Sequence, residues 1–186
     1  MRVILPALCL AAALLGGCAS DAELSGAALQ ATFADGLKDY DSGDYEAAFK
    51  KWSSIDDVDL AAMRNVGTML RTGKGVQKDP KAGFSMLQRA AEAGLFTAQA
   101  DVGDMLLKGE AGPPDPKAAA PWLAMAAHAG HPLAQYELGQ LYEDGAGVPK
   151  DVEAARALYK AAAAGGVADA AGRLAALPPV PPTLRH

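Results

Sequence analysis

The first stretch whose residue types could do chemistry is LGGCAS, because Cys18 follows an uncharged apolar run and precedes the polar ASDAELSG, with Cys9 the only other cysteine. Arg2 supplies a positive start and Val3 to Leu15 an apolar middle, the layout of a secretory leader. The order Leu15-Gly16-Gly17-Cys18 sets a leucine three places before a cysteine with only small side chains between, the form of a bacterial lipobox. Small residues there let an extended backbone enter a signal peptidase. The Cys18 sulfur is therefore expected to carry a diacylglycerol and its freed amine a further acyl chain. At ~0.8 kcal/mol per buried methylene, several chains make a stable anchor. The apolar run is too short for the roughly 20 residues of a spanning helix. Cys9 would leave with the leader, so neither a free thiol nor a disulfide is expected in the mature chain.

Three other stretches fail as chemistry. GTMLRTGKG resembles a phosphate loop, but its glycine and lysine are one residue too far apart and Gly75 stands where Ser or Thr should hold magnesium. His128 and His131, in HAGH, lack a third non-terminal histidine to complete a metal site, and read as exposed turn residues. Asp56, Asp57 and Asp59 lack the glycine and distal glutamate of a calcium loop, and read as a solvated linker. No G-x-S-x-G, H-E-x-x-H or S-x-x-K occurs, so the usual serine and zinc hydrolase sets are missing. Neither a cofactor, a metal nor catalytic residues are expected.

The elements that position these residues come from composition and period. The 186 residues carry a formal charge of −5, and loss of Arg2 with the leader leaves 16 basic residues, one fewer than the 17 of the whole chain, against 22 acidic ones. Neither this mild acidity nor the scattered Lys and Arg makes a nucleic-acid surface. Alanine supplies much of the 51% hydrophobic content and aromatics only 6%, which favours thin layers of close-packed helices over a deep core. Gly67, Gly103 and Gly139 are 36 residues apart; so are Asp79, Asp115 and Asp151, and the pairs Ala90-Ala91, Ala126-Ala127 and Ala162-Ala163. Each unit reads as two antiparallel helices. In the first, a small residue, an aliphatic one and a large one form a stripe around the glycine, which admits the neighbouring helix. The loop ends in an aspartate suited to cap the second helix, followed by Pro80 and Pro116 at the favoured first position. That helix then ends at Gly94, Gly130 or Gly166.

The pattern A-x-x-x-L-G-x-x-Y-x-x-G-x-G-V-x-x-D, then an aromatic, Ala-Ala and Gly, resembles the Sel1-like repeat, a relative of the tetratricopeptide repeat. The third unit is nearly complete, with Ala134, Leu138-Gly139, Tyr142, Gly145-Ala146-Gly147-Val148 and Asp151. The first has Leu70 for the tyrosine and Met86 for the aromatic, and the second has Ala111-Gly112 where Gly-Val belongs. The resemblance implies an all-α, right-handed α-solenoid of stacked antiparallel hairpins. Residues 1–17 would be the lipoprotein signal, 18–28 a tether, 29–58 a degenerate tetratricopeptide-like hairpin, 59–94, 95–130 and 131–166 the repeats, 167–177 a capping helix and 178–186 a proline-rich disordered tail. It also implies a non-catalytic scaffold for an envelope protein or peptide segment, held by the lipid on Cys18, with no nucleic acid. Ala19 in place of an aspartate, by resemblance to other lipoproteins, implies the outer membrane facing the periplasm. In tetratricopeptide-like solenoids the first helices line the concave face, which here would present Arg64, Thr68, Arg71, Asp104, Leu107, Lys108, Tyr136, Gln140 and Glu143, running from basic to acidic. The alternative is a secreted member of the β-lactam-binding or hydrolysing type. Those members are rich in cysteines, which the mature chain here lacks.

Overall fold

The computed structural model of the chain describes residues 26–179, and among these every regular element is a helix. In chain order they are α1 (Gly26–Ser42), α2 (Tyr45–Ser53), α3 (Leu60–Thr72), α4 (Pro80–Glu92), α5 (Phe96–Lys108), α6 (Pro116–His128), α7 (Pro132–Asp144), α8 (Val152–Ala164) and α9 (Ala168–Ala176). Successive helices pack in pairs, and each pair stacks on the next, as an α-solenoid requires. The leader, Cys18 and most of the proline-rich tail lie outside the described residues. Residues 26–28, expected in the tether, are instead the start of α1, whose chain carries Leu29 and Phe33 onto the first core cluster.

Local chemistry sets the helix ends. The carboxylates of Asp79, Asp115 and Asp151 accept from the backbone N–H of Ala82, Ala118 and Ala154, each at 2.9 Å. These bonds satisfy donors that a helix start otherwise leaves free. At the other end, Gly94 lies at φ +95°, and the N–H groups of Gly94 and Leu95 donate back to Ala91 and Ala90, a double bond pattern that closes α4. Replacing Asp151 by alanine is expected to cost about 1 kcal/mol in chemical denaturation, with asparagine close to wild type.

Within a hairpin the glycine of the first helix faces the largest buried side chain of the second. A β-carbon on Gly103 would meet Leu123 Cδ2 at 2.5 Å, and one on Gly139 would meet Tyr159 Cε1 at 2.8 Å. Leu87, Leu123 and Tyr159 are accordingly fully buried. The first hairpin uses the same contact out of register. A β-carbon on Gly36 would meet Trp52 Nε1 at 2.4 Å, and that indole donates to the Phe33 carbonyl at 3.2 Å.

Two stretches differ from their sequence reading. Asp59 is more than linker, since its carboxylate caps α3 by accepting from Ala62 N–H at 2.8 Å. His131 is half-buried instead of an exposed turn residue; its Nδ1 accepts from Ala134 N–H at 3.3 Å, and burial lowers its pKa.

Candidate functional site

Contacts also run between first helices of consecutive hairpins. Helix α5 packs on α7, and ion pairs tie α3 to α5. The nine side chains expected on the inner side all lie on α3, α5 and α7, the first helices of the three repeats.

Five of the nine are committed within the chain. Arg64 Nε bonds Asp101 at 2.6 Å. Arg71 holds Asp104 at 2.5 Å and both carboxylate oxygens of Glu110 at 2.5 and 2.6 Å, and Lys108 Nζ lies 2.7 Å from Asp104. Glu143 accepts from Tyr159 at 2.5 Å and from Arg173 at 3.2 Å, which ties it to α8 and α9. A basic-to-acidic run of free charge is therefore not what the inner side presents. Arg64, Arg71 and Glu143 meet partners across the seams between hairpins, and Lys108 meets Asp104 within α5. Leu107 packs on the core beside Leu123 and Leu138. Tyr136 packs on the core cluster of Ala155, Tyr159 and Leu177, its ring 5.7 Å from that of Tyr159. Thr68 and Gln140 are the two of the nine left without an ion pair or core role, and Gln140 donates to Tyr136 Oη at 3.4 Å.

The ion-pair seam shifts its members. The hydrogen bonds that Arg71 donates to Glu110 raise the Arg71 pKa further, and Arg71 in turn holds Glu110 below the ordinary carboxylate value. Burial pushes Asp104 upward, but the hydrogen bonds from Lys108 and Arg71 outweigh it and keep it ionised. Across the α5–α7 seam lies Glu137, which sequence reasoning did not single out and which is only 8% exposed. Burial, the charge of Asp104 and a hydrogen bond between the two carboxyl groups raise its pKa from 4.5 to about 8. Its signal was its place in the repeat, 36 residues after Asp101, at the position next to the candidate face.

Two open grooves flank α3. One, of about 580 Å³, is lined by Arg71, Thr72, Lys78, Pro80 and Glu110. The other, of about 280 Å³, lies between α1 and α3 over Trp52. Among the described residues no group of three His, Cys, Asp or Glu side chains could hold a metal ion, and no helix is long and apolar enough to cross a membrane. What the face of α3, α5 and α7 offers is hydrogen-bonding and apolar contact.

A family model described as the Sel1 repeat matches residues 60–95, 97–131 and 132–167. Among solved structures, a Sel1 repeat protein from Oxalobacter formigenes aligns with a TM-score of 0.71 at 33% identity, over 76% of this chain and 58% of that one. The protein c5321, a protective antigen present in uropathogenic Escherichia coli strains displaying an SLR fold, aligns with a TM-score of 0.73 at 28% identity, over 78% of this chain and 32% of that one. The chain thus spans less than two thirds of the length of either. Helicobacter pylori cysteine rich protein B has the same fold at 23% identity, with a TM-score of 0.55 over 69% of this chain and 96% of that one. No curated protein matches significantly.

Proposed function

Because the chain belongs to the Sel1 repeat family, we propose that it is a lipid-anchored, non-catalytic scaffold of the bacterial envelope that holds a protein partner on the inner side of its stack. Proteins built of Sel1 repeats are in general protein-interaction scaffolds. The observation that carries the reading is the use of the inner charges. Arg64 and Arg71 of α3 pair with Asp101, Asp104 and Glu110 of the next hairpin, which holds the surface in place while the partly exposed Tyr136 and Gln140 remain for a partner. A surface fixed before binding loses less entropy on association. The anchor follows from Leu15-Gly16-Gly17-Cys18, and placement in the outer membrane from Ala19. The absence of cysteine after Cys18 sets it apart from the β-lactam-active type.

Two measurements on intact cells test this. The chain is expected to incorporate labelled palmitate, and Cys18→Ser to abolish incorporation; equal labelling of the variant removes the anchor. A photo-crosslinking residue at Tyr136 is expected to capture a discrete protein, while one at exposed Ser85 on α4 does not. Equal crosslinking at both positions, or turnover of a β-lactam by the purified chain, would overturn the scaffold reading.

A further inference from the structure

The groove between α1 and α3 has unsatisfied chemistry that the ion-pair seam does not use. Leu37, Tyr40 and Asp41 of α1, Trp52 of α2, and Arg64, Asn65, Thr68 and Met69 of α3 line its 280 Å³. Thr68 Oγ1 is buried with no hydrogen-bond partner. Neither the Asn65 amide nor the Asp41 carboxylate has a hydrogen bond or ion pair within the described residues. Leu37, 41% exposed, adds apolar surface beside it.

Charge selects the ligand further. Arg64 is neutralised by Asp101 at 2.6 Å, and Lys74 is held on the rings of Tyr40 and Tyr45, 5.1 Å from each. Asp41 is then the uncompensated charge on the lining, and its complement is a cation. The aromatic residues argue for peptide over glycan. Trp52 is 2% exposed, and the Tyr40 ring is flanked by Tyr45 at 4.9 Å, Trp52 at 5.6 Å and the Lys74 ammonium. The Trp52 ring is too buried for a pyranose to stack on it, and the Tyr40 ring is already engaged by the Lys74 ammonium.

We propose that this groove binds an extended peptide segment, one apolar side chain seated against Leu37 and Met69, a lysine or arginine next to it meeting Asp41, and the peptide backbone bonded by Asn65. The proposal rests on the scaffold reading and names a second contact for its partner, on α1 and α3 and apart from Tyr136.

The test titrates the full chain carrying Cys18→Ser, isotope-labelled for NMR, with blocked pentapeptides of leucine and lysine at about 1 mM, where even weak binding registers. Shifts are expected at the Asn65 side-chain amide, the Trp52 indole N–H and the Met69 methyl group. Peptides with glutamate for lysine should bind about tenfold more weakly, and Asp41→Asn should bring the two within about twofold. Asn65→Ala should weaken binding about fivefold, read at Trp52. Silence of all three probes, equal response to both peptides in the unsubstituted groove, or response only to an N-acetylglucosamine oligomer would overturn the proposal. A crosslink at Tyr136 with a silent groove would end this inference and leave the scaffold reading standing.

Discussion

Gly147→Ala is expected to destabilise the chain by about 2 to 4 kcal/mol, lowering its melting temperature by several degrees. Gly147 lies at φ +74°, a left-handed conformation that costs an L side chain on its own. A β-carbon there would also sit 2.5 Å from Lys117 N and 2.6 Å from the Pro116 carbonyl carbon. Those atoms are the backbone of the first turn of α6 in the preceding repeat, so no rotamer change relieves the clash. The loop has to lift, and Val148, which packs on the core beside Leu138, lifts with it. Gly112 is the control. A β-carbon added there would have nothing within 4 Å, and Gly112→Ala should change stability by less than about 0.5 kcal/mol. Thermal unfolding followed by circular dichroism compares the two. Equal effects would mean that the loop does not clamp one repeat to the next. Amide exchange should quicken first in α7 to α9, because units beyond a broken joint lose a neighbour on one side only.

Glu137→Gln is expected to stabilise the protein at pH 8 by about 2 to 4 kcal/mol and to leave it unchanged near pH 4.5. Burial, Asp104 and the hydrogen bond to it raise the Glu137 pKa to about 8 from an ordinary 4.5. Between those values the folded chain keeps a proton that the unfolded chain has released. Stability is then full below about 4.5 as far as this group is concerned, falls as pH rises, and levels off above about 8. Lys108 and Arg71 face the same seam and pull the other way, yet both are already taken by Asp104 and Glu110. Glutamine keeps the shape, can donate its amide hydrogen to Asp104 and carries no charge. Denaturant midpoints at several pH values measure the effect. A difference between variant and wild type that does not vary with pH would refute the protonation of Glu137. Asp104 and Glu110, held low by Arg71 and Lys108, should produce a loss on the acid side in both proteins.

What the sequence made legible follows from how far apart the interacting residues lie. Asp79 capping Ala82 and Gly94 closing α4 are settled within one turn of helix, so residue type and position suffice. Gly103 against Leu123 is a longer contact, but the 36-residue period repeats it and exposes it. The seam between hairpins is different. Arg64 meets Asp101 at a separation of 37, Arg71 meets Asp104 at 33 and Glu110 at 39, so its pairs follow no common spacing. A charge on an outward position of one helix looks free until the next hairpin is placed against it. For the same reason Arg64, Arg71 and Glu143 read as partner contacts, and Glu137 did not stand out. Gly36 and Trp52 escaped because their hairpin, though built on the same contact, stands off the period.

The packing of each hairpin only on the next has a bearing on how such a chain changes over generations. Duplicating or deleting one 36-residue block would make or remove a joint of the kind already present, where a globular core would have to be rebuilt. Length can therefore vary by whole blocks while the capping aspartates and the glycine contacts stay as they are, so the reach of the molecule is free to evolve separately from its fold.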